Sequence, residues 1–347
     1  MTAATATVAT TTIATATAAP MTGPRLAASA IAAMVVDTFR QAIASRMMIL
    51  AVALAGFAIL ACLSVRVEGP RALRAAGAIE LLDGDKRPLT APGAATGRMT
   101  VGFGAIAVGN FRDVESQVRF LQAVLARWAA GVAGTLILLA ATAGFLPDFL
   151  RPAAASVLLS KPVPRWALLA GKAAGVVAFV AALTGAFVVG TWLALGARTG
   201  VWATGYLLAW PLLVAQFAGL HAASVVAATC TRNTAASLFA ALACWMACLG
   251  SNGARDALHD DSPSAPACAP AARAAVEAAY WVMPKPLDFS RMLDRAVSAA
   301  DHFAGPTAPG PATRADAGAA ALSLASTLAF AAAMLAIAAR QLATTDY

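Results

Sequence analysis

Apolar residues run through this chain in long stretches, and the charged residues fall between them. Six stretches lack Asp, Glu, Lys and Arg altogether: 47–65, 129–147, 173–197, 199–231, 233–254 and 317–339. A bilayer hydrocarbon core about 30 Å thick takes roughly 20 residues of helix at about 1.5 Å each, so every one of these runs is long enough to cross. Centred on their apolar residues, the expected spans lie near 47–65, 129–147, 171–196, 205–229, 234–250 and 317–339. Arg198 alone interrupts the third and fourth spans and Arg232 the fourth and fifth, which predicts tight helical hairpins. Trp128, Trp166, Trp202 and Tyr206 fall near predicted span ends, where amphipathic aromatics gather.

The polar stretches set the organisation. Residues 1–28 form an Ala/Thr-rich leader that lacks the basic start and compact apolar core of a secretory signal, and it is expected to be disordered. Residues 29–340 read as one membrane domain, followed by a tail at 341–347. Hydrophilic segments at 66–128 and 251–316 follow the first and fifth spans, so both belong on one side of the membrane. In the first, AIELLDGDKRPLTAP places Asp83-Gly84 between two short runs, a hairpin signal. Asp83, Asp85, Asp113 and Glu115 read there as solvated loop charges. The second segment is Pro/Ala-rich up to Ala271 and helical beyond it. The expected fold is an all-α polytopic membrane protein with six transmembrane helices and two long extracytoplasmic loops, the first containing a small β-hairpin region. Arg40, Arg46, Arg151, Lys161, Arg165, Lys172, Arg232 and Arg340 collect at the opposite span ends. By the positive-inside rule both termini are then cytoplasmic, in a bacterial inner membrane.

Composition agrees with that placement. Hydrophobic residues make up 60% of the 347 and charged residues only 12%, against about 25% charged in soluble domains. Mean hydropathy is +0.73. The net charge of +8 raises nucleic acid as a partner, but the basic residues sit between apolar runs as topology signals do, so the lipid bilayer is the expected partner and nucleic acid is not. The five cysteines form no CxxC pair, so neither a zinc ribbon nor a redox dithiol is indicated. Cys244 and Cys248, at i and i+4, make half of a soft-metal site or, more commonly, packing residues. Cys62 and Cys268 could meet as a disulfide on an oxidising side. Gln216 and His221 lie inside the fourth span, where polar groups either line a substrate path or, more often, hydrogen-bond between helices. Tyr280, Trp281 and Phe289 are expected to anchor the last outer segment at the interface, with an outer gate as the sharper reading. Within the spans no HExxH, no Ser-Lys pair and no buried carboxylate pair occurs, so neither a catalytic site nor a bound cofactor or metal is expected.

The most informative stretch is 144–175, GFLPDFLRPAAASVLLSKPVPRWALLAGKAAG. Phe149, Leu150, Val157 and Leu158 can line one face of a short helix that tolerates Pro152 only in its first turn. Pro162 and Pro164 then forbid continued α structure, and the chain re-enters the membrane at Ala167. Gly171 and Gly175 form a GxxxG that lets another helix approach closely. This segment resembles the cytoplasmic loop of permeases in the type-2 ABC exporter family, in which a leucine pair, a Ser-Lys-Pro turn, an Arg and a Gly-Lys lead into the third span. VVDTFRQAIASRMM resembles that family's amphipathic helix before the first span, and YWVMPKPLDF its aromatic-Pro segment before the closing span.

The resemblance implies a dimerising export permease, homomeric or paired with a second permease, that binds a separate ABC ATPase subunit carrying the ATP. The coupling loop at 148–170 and the helix near 30–46 would dock there, with Lys161, Pro162, Arg165, Gly171 and Lys172 as coupling elements. In that helix Ile31, Val35, Phe39 and Ile43 are expected to face inward and Asp37, Arg40 and Gln41 outward. Gly171-Lys172 mimics the end of a Walker motif but lacks its earlier Gly and following Ser or Thr. The alternative is a non-transporting membrane assembly or sensor protein, for example in metalloenzyme maturation, acting through its outer loops.

Overall fold

A computed structural model describes residues 23–75, 78–82, 97–111, 113–151, 164–258, 270–297 and 317–344. Residues 1–22 and the last three residues lie outside them, whereas residues 23–28, expected as the end of a disordered leader, already belong to a helix. Helix α1 (Gly23–Ala44) is followed after Ser45 by α2 (Arg46–Leu63). Five short strands come next: β1 (Arg66–Glu68), β2 (Arg71–Ala75), β3 (Ala78–Leu82), β4 (Gly97–Val101) and β5 (Ile106–Phe111). Helix α3 (Val114–Val124) passes into a π-helical segment, Leu125–Gly134, and then into α4 (Thr135–Thr142) and α5 (Phe145–Phe149). Then follow α6 (Arg165–Thr199), a 3-10 turn (Thr204–Leu208), α7 (Ala209–Thr231), α8 (Thr234–Leu258), α9 (Pro270–Val282), α10 (Pro286–Ala296) and α11 (Ala317–Thr344).

Seven helical stretches among the described residues are long and apolar enough to cross a membrane. Six overlap the expected spans over most of their length, and the seventh is Ala27–Ala44 of α1. Phe57 and Leu60 of α2, Phe239 and Met246 of α8, and Leu322 and Ile337 of α11 are exposed on the bundle's flanks. Apolar surface on this scale is what lipid covers in a multi-pass membrane protein.

The second long helix starts earlier than its apolar run. Asp113 precedes it in extended conformation and accepts hydrogen bonds from the Ser116 backbone N–H (2.7 Å) and Oγ (2.8 Å). Asp113 is buried, a helix cap and not the solvated loop charge expected. Helix therefore begins at Val114, and the polar segment expected over 66–128 contracts accordingly.

Between α2 and α3, β1, β4 and β5 form an antiparallel sheet in the order β1-β4-β5, with a bulge at Met99/Thr100, and β2 pairs β3 as a separate ribbon. The AIELL run is indeed a strand, but its partner is β2, with Arg71 opposite Leu82; Asp83-Gly84 lies outside the described residues. Met99, Val114 and Val118 pack on Cys62, Val65, Leu195 and Val201, which seats the sheet on the ends of α2, α3 and α6. Arg71 donates to the Thr199 carbonyl (3.3 Å) beside Gly200, whose φ of 73° ends α6. This end of the bundle is called the sheet end below.

The segment expected as an outer loop folds back into the bundle as a helical hairpin. Gly205 meets the Ala296 backbone, Phe289 and Leu293 cluster with Ala209, Leu212 and Leu213, and Pro284 reaches Gly219 and Thr327. From Ala209 to Gly219 is about 15 Å along α7, so the Pro284-Lys285-Pro286 tip lies deep between the helices. Glu277 of α9 bonds Arg255 of α8 (3.1 Å). Tyr280 and Phe289 are consequently buried inside the bundle, not anchored at an interface, while Trp281 stays half-exposed. Tyr206 is likewise buried, with its hydroxyl 3.0 Å from Thr191 Oγ1.

A Cβ at Gly205 would lie 1.9 Å from the Ala296 carbonyl oxygen, whereas nothing lies within 4 Å of one at Gly250. Gly205→Ala is therefore expected to push α10 outward and cost about 1–3 kcal/mol. Gly250→Ala should be neutral or stabilising by up to about 1 kcal/mol. Thermal unfolding of both variants in detergent checks this; equal midpoints would contradict the docked hairpin.

Candidate functional site

Of the residues expected to couple, Lys161 and Pro162 lie outside the described residues. Arg165, Gly171 and Lys172 occupy the first turns of α6, which starts where Pro164 holds an extended conformation (ψ 131°). Arg165 Nη1 donates to the Leu342 carbonyl (3.2 Å), joining the start of α6 to the end of α11. Leu146 and Leu150, at the other side of the loop, are buried with Leu169, Val225, Ala228, Ala338 and Leu342. The described parts of the loop therefore sit on the ends of α6, α7 and α11.

The GxxxG forms the seat for α1. A Cβ at Gly171 would fall 2.8 Å from Met34 Cβ, and one at Gly175 would fall 2.8 Å from Thr38 Cβ, so only glycine allows this approach. One turn on, Phe39 meets Phe179 edge to face at 5.3 Å. Lys172 lies between the glycines with its side chain 3% exposed, and its Nζ donates to Asp37 Oδ2 (3.0 Å) and Gln41 Oε1 (2.6 Å). This corrects the expected orientation of α1. Ile31 and Val35 face α6 as anticipated, but Ile43 is exposed and Gln41 turns toward α6; Asp37 is exposed as expected, yet its carboxylate also reaches Lys172, because a buried ammonium requires partners. Arg40 remains exposed.

Gln216 and His221 line different cavities. Gln216 Nε2 donates to the Gly131 carbonyl (3.0 Å) in the π-helical segment. A Cβ at Gly131 would stand 2.9 Å from the Ala126 carbonyl oxygen, so glycine is required where the wider helix tightens. Gln216 thus takes the interhelical role. His221 is buried, stacks on Phe217 at 5.4 Å, and shares a small cavity with Phe145, Leu169 and Lys172. Its Nδ1 has no hydrogen-bond partner among the described residues. Among those residues no group of three or more His, Cys, Asp or Glu could hold a metal ion. Cys62, Cys244 and Cys248 are free thiols, and Cys268 lies outside the described set.

Sequence reasoning missed the polar cluster around the hairpin. Lys285 is fully buried, bonds Ser326 Oγ, and sits 4.7 Å from the ring centroids of both Tyr280 and Trp281. The Asp288 carboxylate accepts from Tyr280, from Ser323 Oγ (2.7 Å) and from Arg291 (3.2 Å). Arg255 stacks over Tyr280 at 3.9 Å, and Arg291 also pairs with Asp256. The available signal was the i, i+3 charge pair Asp288–Arg291 in an amphipathic stretch, too regular for a loop. Both clusters are electrostatic cross-links between helices.

The chain matches no known protein family, no curated protein and no solved structure.

Asp37→Ala leaves the buried Lys172 ammonium with Gln41 alone and is expected to destabilise the protein by about 1–3 kcal/mol. Lys172→Met in that background removes the orphaned charge and should restore most of the loss. A double-mutant cycle on thermal unfolding reads this; additive losses would mean that the two side chains do not act as a pair.

Proposed function

We propose that this chain is the membrane-spanning permease subunit of an ATP-driven exporter of the type-2 ABC kind. ATP is hydrolysed by a separate ATPase subunit, and a second permease, identical or different, completes the pathway. The observation that carries this reading is the joint between α1 and α6. Two of the residues whose pattern resembles a coupling loop, Gly171 and Lys172, also clamp α1 onto α6, together with Gly175 and through the Lys172–Asp37–Gln41 contact. A force on α1 or on the loop before Arg165 would reach α6 without slack.

The same joint favours six crossings. Ile31 meets α6 at Gly171, Val35 at Gly175 and Phe39 at Phe179, so α1 advances in the direction of α6. Farther on, Ile59 of α2 meets Gly190, so α2 advances the same way. Successive crossings must alternate in direction, so α1 and α2 together account for one passage, with α1 at the entrance as a surface helix. Arg40, Arg46, Arg151, Arg165, Arg232 and Arg340 then mark that end as cytoplasmic. The sheet and the re-entrant hairpin face outward, and both termini lie inside a bacterial cell membrane.

Mild detergent extraction from the native membrane, followed by mass spectrometry of co-eluting chains, tests the proposal. A stoichiometric P-loop ATPase is expected, and Lys161→Glu with Arg165→Glu should reduce its recovery by about ten-fold, the equivalent of roughly 1.4 kcal/mol. A preparation without ATPase, under conditions that preserve other membrane complexes, would instead favour an assembly or sensor role exercised through the sheet end.

A further inference from the structure

Helix α2 leans against α6 and meets α4 near its own start, where Met48 and Ala51 cluster with Leu138, Leu139 and Ala141, but it stands away from the π-helical segment that precedes α4. The gap is an elongated cavity of about 390 Å³. One wall is Ala51, Ala55, Ala58 and Ala61 of α2; the facing wall is Ala129, Ala130, Ala133 and Gly134, with Leu125 and Ile137 at either end; Leu183 and Phe187 of α6 form its floor. Small residues on membrane helices usually bring the helices together. Here they face a void, because Ile59 seats α2 in the notch at Gly190 of α6 instead.

Three observations identify the occupant. The lining is apolar apart from Thr184, whose hydroxyl already donates to the Val180 carbonyl (2.8 Å), so water would find no partners inside. The cavity opens beside Phe57 and Leu54, on the exposed apolar flank of a helix long and apolar enough to cross a membrane, so hydrocarbon is what lies at its mouth. Its length also fits. From Ala51 to Val65 is about 20 Å of helix, comparable with the reach of one acyl chain through a leaflet about 15 Å deep. The upper limit is Val65 and Val101, under the β4–β5 turn, and exposed Arg66 follows directly. That turn is tied to the end of α2 by hydrogen bonds to Ser64 and exposes Phe103 and Ile106, apolar side chains suited to the membrane surface at the same level.

We propose that this cleft is a binding site for one acyl chain of a phospholipid from the leaflet at the sheet end, with the phosphate at the level of Arg66. The chain lies lengthwise between α2 and the π-helical segment, and its contacts replace the packing that the two alanine walls do not make with each other. The site stands on its own lining and does not rest on the proposed transport role.

The test uses full-length protein in nanodiscs containing phosphatidylglycerol with a diazirine midway along one acyl chain. After irradiation, adducts are mapped by mass spectrometry. Adducts are expected on the inner walls at Ala130, Gly134, Leu183 and Phe187, which line the cleft and are not exposed on the outer surface. Ala58→Trp fills the cavity from one wall and Ala133→Leu from the other. Each should lower inner-wall adducts by about ten-fold while leaving those at exposed Leu60 unchanged. Two variants are used so that misfolding of one, seen as altered elution, leaves the other to decide. Labelling confined to the exposed face of α2, or inner-wall labelling that survives in a folded filling variant, would overturn the proposal and leave only annular lipid.

Discussion

A lysine ammonium placed inside an apolar helix bundle must find hydrogen-bond acceptors, and Lys172 finds them on a different helix. The consequence reaches beyond one ion pair. To bring Asp37 Oδ2 and Gln41 Oε1 to Nζ, the α1 backbone has to lie against α6, and Gly171 and Gly175 make that approach possible by having no side chain to fill the groove. Attraction and fit are thus encoded within five consecutive residues. The same end of the bundle is closed by Leu146, Leu150, Leu169 and Leu342, and by the bond from Arg165 to the last turn of α11. The first turns of α6 are thereby joined to α1 on one side and to α11 and the described end of the preceding segment on the other.

The sheet end meets a comparable constraint differently. The α9–α10 hairpin brings Glu277, Lys285, Asp288 and Arg291 back among helices that are otherwise apolar, and the charges are matched locally by Arg255, Ser326, Tyr280 and Asp256. Charges that turn inward in this way are tolerated only when each is paired, since an unpaired buried charge costs several kcal/mol. The two ends are therefore built from different materials: glycine, one lysine and leucines at one, and a self-neutralising polar network at the other.

The sequence showed the bundle well and its ends poorly. The charge-free runs located six of the long helices because lipid exposure demands unbroken apolar stretches, a one-dimensional property. The start of the second was misplaced by fifteen residues, since Val114–Arg127 is amphipathic and its cap, Asp113, resembles any loop aspartate until Ser116 is seen to bond it. The re-entrant hairpin was read as a helical outer segment because depth cannot be inferred from charge content when the charges pair with one another. For the candidate site, Gly171 and Gly175 were legible as a seat for another helix, but the identity of that helix was not. The facing of α1 was wrong at Ile43 and Gln41, and Asp37, though exposed as expected, reaches back to Lys172, because an amphipathic wheel scores the helix against a plain apolar partner and α6 carries a lysine at that height.

The preference of α2 for α6 connects the two halves of this structure. α1 is held on the first turns of α6 and α2 on its later turns, by Ile59 at Gly190, so one helix serves as the spine for the whole N-terminal arm. What α2 gains on that side it gives up on the other, where the alanine walls remain apart and leave the apolar cleft. The width of the cleft therefore depends on the position of α6 relative to the π-helical segment, and Gln216 fixes that segment to α7 through Gly131. Under the proposed mechanism a displacement of α6 driven through α1 carries α2 with it, while the facing wall stays tied to α7. The lateral cleft is then the place where coupling motion at one end changes the contact between protein and lipid at the other.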